Sequence, residues 1–214
     1  MDPERRRLLR ALLAAPLAFA IGMKLRWSAA ADAAAGAQPS AVKPGSEAGF
    51  APTPECGDDD EPTPAETEGP YFKPRSPLRA SLLEAGTAGT RIVLAGRVFS
   101  RSCRPLPGVL IDFWHASGEG EYDNVGFKLR GHQFTDDTGR YRLETIVPGL
   151  YPGRTRHFHV KLQAPGSRVL TTQLYFPGEP RNRRDSLYRP ELLMLVNDGD
   201  AGKQARFHFM LNLP

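Results

Sequence analysis

The residues best placed to do chemistry are the two histidines of His157-Phe158-His159. If this stretch is a β-strand, side chains two positions apart point to the same face, roughly 7 Å apart along the strand. Two imidazoles placed in this way can bind one metal ion, because neutral imidazole is the commonest metal ligand in proteins. Such a pair can also be ordinary core or surface histidines, so the remaining ligands decide between the two interpretations.

Several common ways of completing such a site are missing from the sequence. A cupin-type site needs a glutamate shortly after the second histidine, where this chain has Val160 to Gln163. The His-x-Asp/Glu pattern of many two-histidine, one-carboxylate iron sites does not occur here, because the third position is His159. A structural zinc site prefers cysteine ligands. The sequence has no Gly-x-Ser-x-Gly elbow, so a hydrolase of that type is unsupported. It also has no phosphate-binding glycine loop.

Two tyrosines lie in unusual settings before the histidines. Tyr151 sits in a Pro/Gly-rich turn just ahead of His157, and Tyr122 sits in a polar loop that follows an apolar run. Each ring can serve packing or can cap a turn. A phenolate is also a hard anionic oxygen donor, and two phenolates with two imidazoles suit ferric iron and hold it in the oxidised state.

Five linked motifs over roughly residues 64–180 resemble those of the intradiol ring-cleavage dioxygenases. They are Thr67–Phe72, Gly108–Ala116 with Gly120–Asn124, Arg130–Tyr141, Tyr151–Val160 and Thr172–Phe176. Five motifs in the right order are far more specific than any one of them. The resemblance is to the exported branch of this family.

The resemblance implies a complete ligand set for one Fe(3+) cofactor. Its members are Tyr122 and His157 as equatorial ligands and Tyr151 and His159 as axial ligands. The three other histidines receive no ligand role; they are His115, His132 and His208.

The activity implied by the resemblance is cleavage of a catechol-type diol between its two hydroxyls, with both atoms of O2 entering a muconate-type product. Tyr151 would leave the metal and act as a base toward a substrate hydroxyl. Arg154 would face the substrate and stabilise developing negative charge. Gln173 would lie beside the substrate. The predicted partners are therefore a small aromatic diol and O2.

The scaffold for these residues is predicted to be built from strands beyond residue 90. Short segments rich in Val, Ile, Leu, Phe and Tyr alternate with Pro/Gly turn clusters. The predicted strands are Arg91–Ser100, Val109–Ala116, Arg140–Ile146, His157–Ala164, Val169–Phe176 and Ala205–Leu213. The fold class is therefore all-β, an antiparallel β-sandwich over residues 77–214 with an extended N-terminal segment and long loops. Residues 81–86 are predicted to form a short helical turn.

The first 37 residues have the pattern of an export signal peptide. A basic stretch, Arg5–Arg10, precedes a 13-residue apolar run, Ala11–Met23, and several Ala-x-Ala cleavage sites follow. That run is too short to span about 30 Å of hydrocarbon comfortably, although an uncleaved membrane anchor stays an alternative. Arg5–Arg10 also resembles the twin-arginine motif. We therefore expect export by the twin-arginine machinery to the periplasm or beyond, with no membrane span left after cleavage.

The net charge of +4 comes mainly from this leader. Residues 1–36 hold six of the 28 Lys and Arg and three of the 24 Asp and Glu, which leaves 22 basic and 21 acidic residues in the rest of the chain. A nucleic-acid partner therefore has no electrostatic support. Residues 38–76 are read as a Pro- and acid-rich linker that leads into the sandwich, and nothing in the pattern specifies an oligomeric state.

The chain has two cysteines, Cys56 and Cys103. An even number in an exported chain favours a disulfide, and two free buried thiols are the alternative. The resemblance supports the bridge, because cysteines near these positions are usual in the exported branch.

Two other functions stay open at this point. One is a transthyretin-like or carbohydrate-binding sandwich without catalysis, in which the tyrosines and histidines only pack. The other is a metalloenzyme of the same fold with a different metal, such as a zinc hydrolase. The tyrosines argue against zinc, because zinc sites rarely use phenolate.

Overall fold

The computed structural model describes residues 61–214. The export signal and Cys56 lie outside the described residues, so both stay predictions, and the thiol of Cys103 is free within residues 61–214. The strands of this part are β1 Arg91–Ser100, β2 Leu110–Trp114, β3 Arg130–Phe134, β4 Arg140–Ile146, β5 His157–Gln163, β6 Leu170–Tyr175, β7 Leu195–Gly199, β8 Gly202–Arg206 and β9 Phe209–Leu211. Two short 3₁₀ helices, Pro180–Arg184 and Pro190–Leu192, lie between β6 and β7.

The strands form two sheets, which confirms the predicted all-β sandwich. The first sheet has the order β4-β1-β8-β7, with β9 also paired to β1, and the second has the order β3-β2-β5-β6. The second sheet is antiparallel throughout. In the first sheet β1 pairs in parallel with β8 and β9. In residues 61–214 no helix is both long and apolar enough to cross a membrane.

The core lies between the sheets and follows from side-chain alternation. Ile111 and Phe113 of β2 and Phe158 and Val160 of β5 are fully buried there. Because successive side chains of a strand point to opposite faces, burying Phe158 in the core turns His157 and His159 to the outer face of the second sheet.

Two strands were not predicted, and one predicted strand is divided. β3 and β7 are edge strands rich in polar residues, so neither shows an apolar alternation. The predicted strand Ala205–Leu213 breaks into β8 and β9, because the carbonyl oxygen of Phe207 crosses over Gly96 where a Cβ atom would lie only 1.7 Å away. The helical turn predicted for residues 81–86 is wrong: Ser81 makes a bridge to Glu144, and a turn follows.

Residues 61–76 pack along the second sheet. The Thr172 hydroxyl donates a hydrogen bond to the Pro64 carbonyl (2.8 Å), and the Glu66 N–H donates to the Thr171 carbonyl (2.8 Å). We call residues 61–76 the covering segment, because it shields the face that carries His157 and His159.

His115 joins the two sheets and makes stability depend on pH. Its imidazole lies 2.7 Å (Nδ1) from the Ala116 carbonyl oxygen and 2.6 Å (Nε2) from the Thr145 hydroxyl. Burial lowers the pKa of His115 from 6.5 to about 4, and the hydrogen bond to Ala116 opposes this shift only in part. The unfolded chain therefore binds a proton before the folded chain does, and stability falls as pH drops from about 6.5 toward 4.

We expect His115 alone to cost about 2 kcal/mol of stability between pH 7.5 and pH 5, since each unit of pKa shift is about 1.4 kcal/mol. The measurement is urea unfolding at both pH values for the wild type and for His115→Gln, which can keep the bond to Thr145. The loss between the two pH values should shrink in the variant. Equal losses would show that another group carries the pH dependence.

Candidate metal centre and active site

The histidine pair lies at a fixed register in the second sheet. His159 is opposite Trp114 of β2 and Gln173 of β6, and His157 is opposite Tyr175. All five side chains are at most 4% exposed on this covered outer face. Trp114 stacks on the His159 ring, with centroids 4.8 Å apart and planes within 7°. The strand register alone therefore gathers most of the polar groups of the site.

Two loops that carry the tyrosines interlock through glycine. A Cβ atom at Gly149 would lie 2.3 Å from the Gly118 carbonyl oxygen, and one at Gly120, whose φ is +87°, would lie 2.2 Å from the Leu150 carbonyl oxygen. The Gly149 N–H also donates to the Ser117 carbonyl at 2.7 Å. Only glycine allows so close an approach, so Tyr122 and Tyr151 are positioned by one joint structure.

The loop after Tyr122 is braced from both sides. The Asp123 carboxylate accepts hydrogen bonds from the N–H groups of Val125, Gly126 and Lys128 at 2.7–2.9 Å. These bonds lower the pKa of Asp123 to about 2. The Lys73 ammonium donates to the carbonyls of Val125 (2.8 Å) and Gly126 (2.6 Å). These bonds restrict the backbone of the loop that directly follows Tyr122.

The predicted metal ligands come together. The Nε2 atoms of His157 and His159 are 3.1 Å apart. The Tyr122 ring centroid is 6.1 Å from that of His159 and 6.0 Å from that of Tyr151. Tyr71 of the covering segment stacks on Tyr122 with centroids 4.3 Å apart, and its hydroxyl lies 3.0 Å from the Tyr151 hydroxyl.

The protonation states of these groups suit metal binding. Burial lowers the pKa of His157 to about 4 and that of His159 well below its ordinary value, so both rings are neutral at pH 7. His157 Nδ1 donates to the Thr155 carbonyl at 2.6 Å, which leaves the lone pair on Nε2. Burial raises the pKa of Tyr122 above its ordinary value of 10. A phenolate here at neutral pH therefore needs a cation beside it.

One metal ion fits this donor set. Within residues 61–214 no three His, Cys, Asp or Glu side chains gather into a metal site, and the side chains beside the histidine pair that carry an oxygen donor include the two tyrosines. Two metal–nitrogen bonds of about 2.1 Å at a right angle separate the nitrogens by about 3.0 Å. The two Nε2 atoms meet this condition at 3.1 Å.

Arg154 and Gln173 form a second polar group at the same face. An Arg154 terminal nitrogen donates to Gln173 Oε1 at 2.5 Å, and Arg154 Nε donates to the Asp185 carboxylate at 2.8 Å. Burial alone would raise the pKa of Asp185, but hydrogen bonds from Thr155 and Leu187 and the Arg154 charge hold that pKa below its ordinary value. Asp185 is therefore an anion that fixes the guanidinium.

Sequence reasoning assigned no role to several residues of this centre. Tyr71 and Arg130 lie in two of the five motifs that resemble the dioxygenase family. The buried Arg130 donates to the Tyr71 carbonyl (2.6 Å) and to the Asp123 carbonyl (3.1 Å). Trp114 also stood in a motif, beside the strand that carries the histidines. Asp185 follows a run of arginines and has no local signal, because its partner Arg154 lies 31 positions earlier.

Comparisons with known proteins agree with this arrangement. A family profile described as a dioxygenase matches residues 67–212. A chlorocatechol 1,2-dioxygenase from Rhodococcus opacus is 30% identical over 185 residues, which cover 70% of this chain and 72% of that one. Catechol 1,2-dioxygenase 2 from Acinetobacter lwoffii is 31% identical over 144 residues, and the match spans 55% of this chain and 52% of that enzyme.

A solved structure extends the comparison. The dioxygenase domain of a dioxygenase–carbohydrate-binding protein fusion from Streptomyces sp. SirexAA-E is 58% identical, with a TM-score of 0.71, and the match covers 72% of this chain and all of that one. The profile spans more than half of the chain and includes both tyrosines and both histidines. The chain therefore belongs to the intradiol ring-cleavage dioxygenase family.

Proposed function

We propose that this protein is an Fe(3+)-dependent dioxygenase that opens the ring of a catechol-type diol between its two hydroxyls and forms a muconate-type product. The observation that carries the proposal is the neutral, buried histidine pair with Nε2 atoms 3.1 Å apart, closed by two tyrosine rings. The names of the catechol and chlorocatechol relatives support the substrate class.

The proposed ligands are the four residues named from the sequence, Tyr122, Tyr151, His157 and His159. Bound to them, ferric iron would supply the Lewis-acid and one-electron chemistry that a closed-shell catechol needs to react with triplet O2. The protein's contribution is to hold two neutral imidazoles and two phenols on a covered face.

Tyr151 is the proposed base. Its Oη would take the proton from one substrate hydroxyl, and general-base help of this kind contributes about 10²–10⁴-fold to rate. The Tyr71 hydroxyl, 3.0 Å from that oxygen, can hold the resulting phenol in place. Arg130 binds the Tyr71 carbonyl at 2.6 Å, and the Tyr71 ring stacks on Tyr122, so both its backbone and its ring are held.

Arg154 is the proposed electrostatic group. Its guanidinium is permanently charged, and it lowers the pKa of both Tyr122 and Tyr175, although their net shift is upward because burial dominates. Gln173 is held by Arg154 and by its own donation to the Thr67 carbonyl at 3.0 Å. The pair thus presents positive charge to a substrate at the histidines.

Asp185 is a positioning residue for Arg154. We expect Asp185→Asn to lower kcat/KM by roughly 10–100-fold, because a small misplacement of an oriented group has an effect of this size. Iron content and the visible spectrum should not change, since Asp185 contacts none of the proposed ligands. Asp198→Asn is the matched control at an exposed ion pair with Lys203. If iron binding falls with activity, Asp185 has a structural role instead.

The proposed function is tested by a visible spectrum and an iron assay on the same purified sample of the full chain. We expect stoichiometric iron, a red-brown charge-transfer band, and a shift of that band when catechol is added without oxygen. On admission of O2, one O2 should be consumed per catechol as the muconate absorbance rises. A folded protein that stays colourless after ferric loading would overturn the site assignment.

The same experiment separates the other functions. A binding module without catalysis would take up no stoichiometric iron and consume no O2. A zinc hydrolase would bind zinc in place of iron and give no charge-transfer band. The Tyr122 and Tyr151 rings, 6.0 Å apart at the candidate centre, favour iron over both alternatives.

We also propose that the protein is exported by the twin-arginine machinery and that Cys56 pairs with Cys103. Both proposals rest on the sequence alone, the first on Arg5–Arg10 and the second on the even number of cysteines in an exported chain. Replacing Arg5 and Arg6 by lysine should keep the protein inside the producing cell, which a blot of the cell fractions measures. Continued export of this variant would contradict the assigned route.

A further inference from the structure

A cleft of about 650 Å³ is lined by residues of the first sheet and by Gln133 and Phe134 of β3, the edge strand of the second sheet. None of the proposed ligands or catalytic residues lines it. The charged residues around it are four arginines, Arg97, Arg140, Arg142 and Arg206, and one carboxylate, Asp136. We call it the arginine cleft. The excess of positive charge has no use in the ring-opening site.

His208 presents a buried hydrogen-bond donor at this cleft. Its Nδ1 accepts the backbone N–H of Arg97 at 3.0 Å. A neutral imidazole carries one proton, so that proton is on Nε2. Burial and the charges of Arg206 and Arg97 lower the pKa of His208, which keeps the ring neutral. Within residues 61–214 the buried Nε2 atom has no hydrogen-bond partner.

Gln133 presents a second donor of the same kind. Its side chain lines the cleft and is only 8% exposed. The amide oxygen accepts the backbone N–H of Arg142 at 3.2 Å, which fixes the orientation of the amide. The Nε2 atom is buried and, like that of His208, finds no acceptor in the described part of the chain. Buried donors normally have a hydrogen-bond acceptor. A bound ligand could supply the acceptors that the Nε2 atoms of His208 and Gln133 lack.

One carboxylate oxygen at the cleft already accepts three hydrogen bonds, and one of the arginines is in an ion pair. Asp136 Oδ1 accepts from the Thr138 N–H and hydroxyl and from the Arg140 N–H, all at 2.8–2.9 Å. Arg142 is paired with Glu144. In residues 61–214 neither Arg97 nor Arg140 forms a side-chain ion pair. The cleft therefore combines Arg97 and Arg140, which form no ion pair within residues 61–214, with two donors that lack an acceptor there.

The position of His208 is fixed by close packing. The Phe207 carbonyl lies over Gly96 and accepts the Tyr141 hydroxyl at 2.9 Å, and the Phe207 N–H donates to the Ala95 carbonyl at 3.2 Å. The donor of His208 is therefore held by the break between β8 and β9 and not by a mobile loop.

From these contacts we infer that the arginine cleft binds a small organic polyanion that carries two or more carboxylate or phosphate groups. Its volume lies within the range of about 300–1,000 Å³ that small-molecule sites occupy, and it exceeds the space a single inorganic ion fills. Arginine suits both groups, because its planar fork binds two oxygens of one anion. This site is separate from the ring-opening site and does not depend on it.

The test is calorimetric titration of the full chain with two probes, citrate and pyrophosphate, at low ionic strength and at 0.15 M salt. The two probes distinguish a carboxylate ligand from a phosphate ligand. In parallel, the imidazole NMR signal of His208 should move on addition of the bound probe. Both measurements use the wild-type protein, so they stand even if a variant fails to fold.

Three variants locate the binding. Gln133→Glu keeps an oxygen for the Arg142 N–H and replaces the donor with a second acceptor, and Arg97→Gln combined with Arg140→Gln removes two charges. Gln133→Glu and the double arginine variant should each raise the Kd of the bound probe at least tenfold. Arg168→Gln removes an exposed arginine on the loop between β5 and β6 and should leave Kd unchanged. No binding of either probe, an unmoved His208 signal, or an equal loss with Arg168→Gln would each overturn the inference.

Discussion

Tyr122→Phe should lower kcat/KM more than ~100-fold and weaken iron binding, while the folded structure persists. Even groups that only support metal ligands change affinity or activity by about 10–100-fold, and Tyr122 is a proposed ligand. The phenylalanine ring can keep the stacking on Tyr71, at 4.3 Å, and the contact with His159, at 6.1 Å. The substitution therefore removes one oxygen and leaves the packing in place. Oxygen uptake, iron content and the visible spectrum measure its effect.

Tyr141→Phe is the matched control for this substitution. Tyr141 is also buried, and its hydroxyl donates to the Phe207 carbonyl at 2.9 Å in the core, away from the histidines. Loss of that bond should reduce stability by about 1 kcal/mol and leave ring cleavage unchanged. A Tyr122→Phe protein with normal colour and turnover would show that another group supplies the anionic ligand.

Arg154→Ala should lower kcat by about 10²–10³-fold, the usual effect of removing one oriented electrostatic donor from an active site. The iron content should stay at the wild-type level, because the Arg154 side chain binds Gln173 and Asp185 and none of the proposed ligands, while its backbone bond to the Tyr151 carbonyl is kept in the variant. Stopped-flow turnover under saturating catechol, with iron measured on the same sample, gives both numbers.

Arg154→Lys separates charge from geometry. Lysine keeps the positive charge but lacks the planar fork that reaches Gln173 and Asp185 together. We expect it to recover only a small part of the lost rate. Full recovery would mean that charge alone matters, and loss of iron in Arg154→Ala would assign the residue a structural role.

The sequence predicts most of the sandwich because burial alternates along its central strands. The bounds of β1 and β4 agree with the prediction residue for residue. Edge strands are not predicted in this way, because they lack an apolar alternation. The sequence of β3 is Arg-Gly-His-Gln-Phe, and the strand pairs only with β2 in its sheet. The break at Phe207 depends on the absence of a Cβ atom at Gly96, more than a hundred positions earlier, which no local pattern reveals.

The sequence likewise predicts some residues of the candidate site, whereas the structure alone reveals others. The alternation around Phe158 and the strand register place His157, His159 and Gln173 on one face, so their proximity follows from β geometry. The motif resemblance supplied Tyr122 and Tyr151. Arg130, which donates to the Asp123 carbonyl beside Tyr122, and Asp185, which binds Arg154, act on distant segments, and only the three-dimensional structure reveals such contacts.

The covering segment sets an order of assembly for the protein. It reaches the second sheet through the bonds of Pro64 to Thr172 and of Thr67 to Gln173, whose partners are 108 and 106 positions apart. Thr172 and Gln173 belong to β6, which follows the covering segment far along the chain. A chain emerging from synthesis thus presents Tyr71 first but must complete β5 and β6 before that residue can dock. The cover over His157 and His159 is therefore completed only after β6 has been made.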